Sequence, residues 1–276
     1  MNADLHCHSS VSDGLYAPSE VARRARQGGV TLWALTDHDE VQGQAEARTS
    51  AEALGMDYVA GVEISVTWAG RTIHVVGLNI DPAHPVLVAG LAATRGGRLE
   101  RAQAIGRQLE QVGIHDAFEG ALQRAGNPDL VSRTHFARYL VEKGFAGSTS
   151  EVFSRYLSEG RPGYVAHRWA KLGDALDWIH VAGGTAVLAH PGRYLYSALE
   201  FDALFNEFKE RGGAAIEVIT GSHTPEQYRV YADVARRYGF QASRGSDFHG
   251  GGEGRVELGS LPQLPADLTP VWRQWA

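Results

Sequence analysis

Apolar positions along this chain follow two periods that take turns. Short apolar runs at 31–35, 58–62, 72–78, 185–189, 214–219 and 241–243 read as strands, and another opens the chain near residues 4–8. Between them, apolar residues three and four apart predict helices over 18–28, 41–54, 172–181, 199–211 and 225–238. Pro18 at the start of the first helix and Gly28-Gly29 at its end are the expected punctuation. Residues 64–67 and 72–78 flank Trp68-Ala69-Gly70, which predicts a hairpin with His74 in its second arm.

The rhythm changes near Pro85. From 85 to 160 only helical spacing remains, over 99–112, 117–125, 135–143 and 151–158. This predicts a helical insertion domain (85–160) within a main domain built from 1–84 and 161–276. About seven strands alternating with helices favour an α/β architecture, either a parallel barrel or an open sheet. A chain of 276 residues is long enough for such a domain with an insertion.

Composition narrows the function classes. An apolar fraction of 43% and a charged fraction of 21% are those of a soluble globular protein. No apolar run approaches the roughly 20 residues of a membrane span, and no basic-then-apolar signal segment opens the chain, so no membrane partner is expected. The single cysteine excludes an internal disulfide and fits a reducing cytoplasm. A net charge of −6 argues against long nucleic acid as a partner, while small anions held by metals and a few arginines stay open.

The chemistry lies in where the ligand-type residues fall. On an extended strand His6 and His8 project to one side and Leu5 and Cys7 to the other, so two imidazoles can share one divalent ion and Cys7 is left to pack. Asp13 follows in a turn. His38, Glu63, His190 and the pair Asp247 and His249 each close or follow an apolar strand, and in a barrel those ends meet at one mouth. With His74 added, six histidines and three carboxylates converge, too many for one ion and suited to two or three. The mixed nitrogen and oxygen set favours Mn²⁺, with Zn²⁺ and Fe²⁺ as alternatives, over Mg²⁺. Clustered metals of this kind suit phosphoryl chemistry. Asp37 and Asp39, flanking His38, are expected to cap turns or support ligands rather than bind metal. His84, His115, His167, His180 and His223 read as ordinary core or surface residues, and Trp272-Arg273-Gln274-Trp275 as packing on the barrel.

Asp4-Leu5-His6-Cys7-His8, Thr36-Asp37-His38, Glu63, His74, Ala189-His190-Pro191 and Ser246-Asp247-Phe248-His249 together resemble, in order and over nearly the whole chain, the motif set of the polymerase and histidinol phosphatase (PHP) family. The resemblance implies a distorted (β/α)₇ barrel with a small helical insertion domain and a trinuclear site. His6, His8, Glu63 and Asp247 would hold one metal, Glu63, His74 and His190 a second, and Asp13, His38 and His249 a third. Asp13, His38, Glu63, His190, Asp247 and His249 would form the catalytic set. Asp13 stands where many members carry histidine, which alters metal preference.

Within the family, the insertion and motif wording look most like 3′,5′-nucleoside bisphosphate phosphatases and their relatives, the small 5′→3′ exoribonucleases. Arg98-Leu99-Glu100-Arg101 and Ser132-Arg133-Thr134-His135 carry that part of the likeness. It implies that Arg98, Arg101, Arg133, Thr134 and His135 lie over the mouth and grip a second phosphate, since arginine bonds phosphate bidentately. Arg193, just after His190-Pro191-Gly192, is a further candidate for phosphate. The expected activity is removal of the 3′-phosphate from a nucleoside 3′,5′-bisphosphate, and the expected partner is a small nucleotide or a short oligoribonucleotide. Exonuclease action on short 5′-phosphorylated RNA is the alternative. Histidinol phosphate, with one phosphate, leaves the arginines unexplained, and a non-catalytic metal-binding module sits poorly with a motif set in which every position is filled.

Overall fold

The computed structural model describes residues 1–275 and forms a curled sheet wrapped by helices. The strands are β1 (Ala3–Asp4), β2 (Leu32–Leu35), β3 (Asp57–Trp68), β4 (Arg71–Leu78), β5 (Ala170–Lys171), β6 (Thr185–Leu188), β7 (Ala215–Thr220) and β8 (Gln241–Gly245). They pair in the order β1-β2-β3-β4-β6-β7-β8, with β5 added to the far end of β3. The first and last strands then meet. Leu5 donates to the Arg244 carbonyl at 3.0 Å, Asp247 to that of His6 at 2.7 Å, and Cys7 bridges Phe248 in parallel. The result is a distorted, nearly closed seven-stranded barrel.

The sheet is parallel except at one strand, the second arm of the predicted hairpin. β4 is antiparallel to both neighbours because a two-residue hairpin turn, Ala69-Gly70, returns the chain directly, with both residues at positive φ. β3 also runs on through Glu63 instead of ending there, so Glu63 and His74 sit within strands. At the other extreme, only two residues of the opening strand join the ladder.

Side-chain alternation sorts the core. Leu32 and Ala34, Val76 and Leu78, Val187, and Ala215 fill the barrel interior with Ala3 and Leu5, closed at one end by Val271 and the partly buried Trp272 and Trp275. The opposite faces of the strands meet the surrounding helices. α1 (Pro18–Gln27) and α2 (Gln44–Ala53) cover one side, where Cys7 accepts from the Trp33 indole at 3.1 Å. α8 (Leu172–Val181), α9 (Ala198–Glu210) and α10 (Pro225–Tyr238) cover the rest. None of the described helices is long and apolar enough to cross a membrane.

Between β4 and β5 the chain is helical. α3 (Pro85–Arg95), which the spacing did not single out, lays Leu87 and Leu91 on the barrel's own core. α4 (Arg98–Glu110), α5 (Ala117–Leu122), α6 (Arg133–Glu142) and α7 (Thr149–Val152) surround a separate core that includes Ile105, Leu109, Phe136, Leu140 and Leu157. Polar ties bind this unit to the barrel: Arg98 to Asp39, Ser132 to Asp13, and Arg138 to Glu253.

Arg244 staples the barrel closed. Fully buried on β8, it donates to Asn2 Oδ1 at 2.7 Å, to the Ala3 carbonyl at 2.9 Å, and to the Leu261 carbonyl. Replacing it by alanine strands these buried acceptors and opens a cavity. Arg244→Ala should lower unfolding free energy by roughly 2–4 kcal/mol in denaturant melts; a loss under about 1 kcal/mol would show that closure does not depend on it.

Candidate metal centre

At the barrel mouth the loops after β1, β2, β6 and β8 and the middles of β3 and β4 deliver nine ligand-type side chains to one place. Three groups of ligand atoms lie within 4.8 Å of one another: His6, His8, Glu63 and Asp247; His38, Glu63 and His74; and His8, Asp13, His38 and His249. His190 joins through its Nε2, 2.9 Å from Glu63 Oε1. Tight backbone turns aim several of these groups. His190 and Asp247 adopt left-handed φ of 27° and 56°, sparsely populated for residues with a Cβ, and Asp39 does so beside them at 50°.

Glu63 is the hub. It is wholly buried, with imidazole nitrogens of His6, His8, His38, His74 and His190 at 2.9–3.3 Å. Burial alone would raise its carboxyl, but His74, His38 and His6 hold it well below the usual carboxylate range. Asp13 is likewise held low against its burial by His249 and His38, and Asp247 by His6 and His8. Burial, reinforced by His249 and His38, pushes His8 down to about 3, and burial with Arg193 does the same to His190, so both imidazoles are neutral. His6 and His249 move the other way: burial opposes the proton, but Glu217 and Glu63 raise the first, and Asp13 raises the second to about 9.

The lone pairs fit bound cations. His38 Nδ1 and Glu63 Oε2 are 2.9 Å apart, yet neither has a hydrogen-bond partner. His6 Nε2, both nitrogens of His8, Asp13 Oδ1 and His74 Nδ1 are also buried without a hydrogen bond. So many orphaned acceptors in one place is what a set of ion sites leaves when its donors are considered alone.

Above this cluster lies a cleft of about 430 Å³ between barrel and insertion. Arg98, Arg101, Arg133, Thr134 and Arg193 line it, with Phe153 and Trp169 as aromatic walls. Their situations differ. Arg98 is spent on Asp39 and Ser65 and stacks over Trp169 at 4.5 Å, so its charge is already balanced. Arg193 reaches Asp247 at 3.2 Å from an exposed loop. Arg101 and Arg133 bond only to the carbonyls of Val165 and Leu157, and among the described residues no carboxylate pairs with either. Burial and the neighbouring Arg133 and Arg98 push Arg101 down to about 9.

His135 does not line the cleft. Its ring is buried, and Nδ1 accepts from the Ser132 amide at 3.0 Å to complete the capping box that starts α6. Burial pushes it down to about 4, which keeps that nitrogen an acceptor. Its place is to fix the helix start that presents Ser132, Arg133 and Thr134.

Three supporting residues escaped the sequence reading. Ser132 Oγ donates to Asp13 Oδ2 at 2.9 Å, so the insertion orients one carboxylate of the cluster. His223, read as an ordinary residue, accepts from the Gly192 amide at 2.9 Å and braces the turn after His190. Glu217, within β7, receives His6 Nδ1 and the His190 amide. A lone acid inside the run Ala215-Ile216-Glu217-Val218-Ile219 was the available signal. Asp37 caps the first turn, accepting from Ser9 and Ser12.

Comparison with known proteins agrees with this geometry. The PHP domain matches residues 4–242. A 3′,5′-nucleoside bisphosphate phosphatase from Chromobacterium violaceum is 48% identical over 99% of this chain and 96% of its own length. The 5′-3′ exoribonuclease Rnm of Escherichia coli is 43% identical over 99% of this chain and 93% of its own. A solved structure, described as an amidohydrolase from Chromobacterium violaceum with bound sulfate and no metal, superposes with a TM-score of 0.96 over 99% of this chain and 95% of that one, at 48% identity. With its barrel, its mouth of histidines and carboxylates, and these relatives along its whole length, the chain belongs to the PHP domain family.

Proposed function

We propose that this protein is a metal-dependent phosphatase that removes the 3′-phosphate of nucleoside 3′,5′-bisphosphates, leaving a nucleoside 5′-monophosphate and phosphate. The observation that carries this reading is the pairing, in one cleft, of a cation-binding cluster with two guanidiniums, Arg101 and Arg133, that lack any acid of their own. Uncompensated, partly buried cations favour an anion. A substrate with two separate phosphates satisfies both ends of the cleft, whereas a monophosphate leaves one end unmatched. The relative at 48% identity, named for that activity, supports the same choice.

In this reading the barrel (1–84 and 161–276) carries the ions and the insertion (85–160) carries the second anion site. His6, His8, Glu63 and Asp247 hold one ion, Glu63, His74 and His190 a second, and Asp13, His38 and His249 a third, with Mn²⁺ preferred for a nitrogen and oxygen set. Such ions supply Lewis-acid chemistry: they neutralise phosphoryl oxygens and acidify a water. The chain's own groups do the rest. Arg101 and Arg133 bind the 5′-phosphate, and the amides at the start of α6, with Thr134, add the positive end of the helix dipole. Arg193 lies on the side of Asp247, where the reacting phosphate sits. Phe153 and Trp169 flank the space left for the nucleoside.

The exoribonuclease relative favours a second substrate for the same pose. In a short RNA with a 5′-phosphate, the first linkage occupies the place of the 3′-phosphate. A nucleotide substrate and a lone buried Cys7 both suit a reducing cytoplasm as the place of action.

Stripping divalent ions with a chelator should abolish hydrolysis and Mn²⁺ should restore it, with at least two ions per active chain in elemental analysis; full activity with fewer than two would contradict the multinuclear reading. Product chromatography after adenosine 3′,5′-bisphosphate hydrolysis should show the 5′-monophosphate. Appearance of the 3′-monophosphate would reverse the orientation. Arg133→Ala should lower kcat/KM on the bisphosphate by about one to two decades, the worth of one charge-assisted contact, and spare an activated aryl phosphate. Equal loss on both substrates would remove Arg133 from the second anion site.

A further inference from the structure

We propose that Glu217 is a positioning residue that holds two of the ion positions in register with each other. The inference rests on the reading that the mouth cluster binds divalent ions. Glu217 is buried in the middle of β7, one layer below the ligands, and belongs to none of the groups of converging ligand atoms. Both its oxygens are already engaged. Oε1 takes the His6 ring at Nδ1 at 2.8 Å, and Oε2 takes the backbone amide of His190 at 2.6 Å. It therefore touches a candidate ligand of the first ion and a candidate ligand of the second, and is itself a ligand of neither.

Each contact controls something specific. A carboxylate at Nδ1 fixes a proton on that nitrogen, so it is Nε2 that His6 turns toward Glu63 and Asp247 and that an ion would take. Without that acceptor the proton is free to sit on Nε2, where it blocks an ion. The second contact pins the amide of a residue whose backbone sits at φ 27° and ψ 57°, a conformation that costs energy unless its surroundings enforce it. That conformation aims His190 Nε2 at Glu63 Oε1. The two rings end nearly parallel, with centroids 5.6 Å apart and planes 26° from each other. The local irregularity of β7 serves the same end: pairing with β8 jumps from Glu217 to Ile219, and the skipped Val218 offers its carbonyl to His223, which braces the turn after His190.

The test is Mn²⁺ binding to the metal-stripped full-length chain, followed by electron paramagnetic resonance and calorimetric titration. Wild type, Glu217→Gln, Glu217→Asp and Val218→Ala are compared. Val218 faces the outer core, so its truncation perturbs the same strand without touching a ligand. Glu217→Gln presents an amide donor to one of two donors and should weaken Mn²⁺ binding about 10- to 100-fold. The spectrum at low Mn²⁺ should change from coupled ions to an isolated ion. Glu217→Asp, shorter by one methylene, should fall between, and Val218→Ala should bind like wild type even if it melts earlier. Wild-type affinity and coupling in Glu217→Gln would overturn the proposal, as would equal weakening in Val218→Ala. Failure of both Glu217 variants to fold would also overturn it, making the residue a structural one. A wild-type chain that binds no Mn²⁺ would instead sink the metal reading beneath it.

Discussion

A carboxylate with no access to water, ringed by five imidazoles, is the constraint around which this molecule is arranged. Glu63 sits on β3 at the centre of the mouth. Burying a charge at such a place is costly unless other charges and lone pairs answer it, and those must arrive from every side. They come from the loops after β1 and β6, from the loop after β2, and from the antiparallel partner β4. The hairpin that turns β4 around is therefore part of the chemistry. It places His74 across the ladder from Ser65, with Nδ1 2.9 Å from Glu63.

The insertion answers the opposite problem. The mouth gathers acids and imidazoles, while the wall facing it gathers guanidiniums, and the cleft between them separates two kinds of unmet charge. Arg98 shows what a matched member of that wall looks like, with Asp39 on one side and Trp169 beneath it. Arg101 and Arg133 also lie over aromatic rings but lack such an acid among the described residues, and this difference, more than the number of arginines, leaves positive charge unmatched in the wall facing the cluster.

Most of the cluster at the mouth was legible because barrel topology turns chain order into proximity. A histidine or acid after each apolar run lands at the same mouth, which is how His6, His8, His38, His190, Asp247 and His249 were read together. The rule breaks where a residue works from within a strand. Glu63 was read as closing a strand that in fact runs on past it, and His74 was added from within the second hairpin arm. Glu217 was passed over because it ends nothing and resembles no ligand. Helix spacing located most of the insertion but not how its side chains are spent: nothing in Ser132-Arg133-Thr134-His135 distinguishes an arginine facing a cleft from a histidine closing a capping box.

The closure between β1 and β8 gives the centre a place in time as well as in space. His6 and His8 precede Asp247 and His249 by some 240 residues, and their strands are joined through contacts such as Leu5 to Arg244 and Cys7 to Phe248. Contacts so distant along the chain form late, after the intervening units have folded. During synthesis the early histidines are thus a pair without their acids, and any chain released before Asp247 lacks the last wall of the cage. The cluster is complete only once the barrel shuts, so its assembly reports that β1 and β8 have both been made and joined.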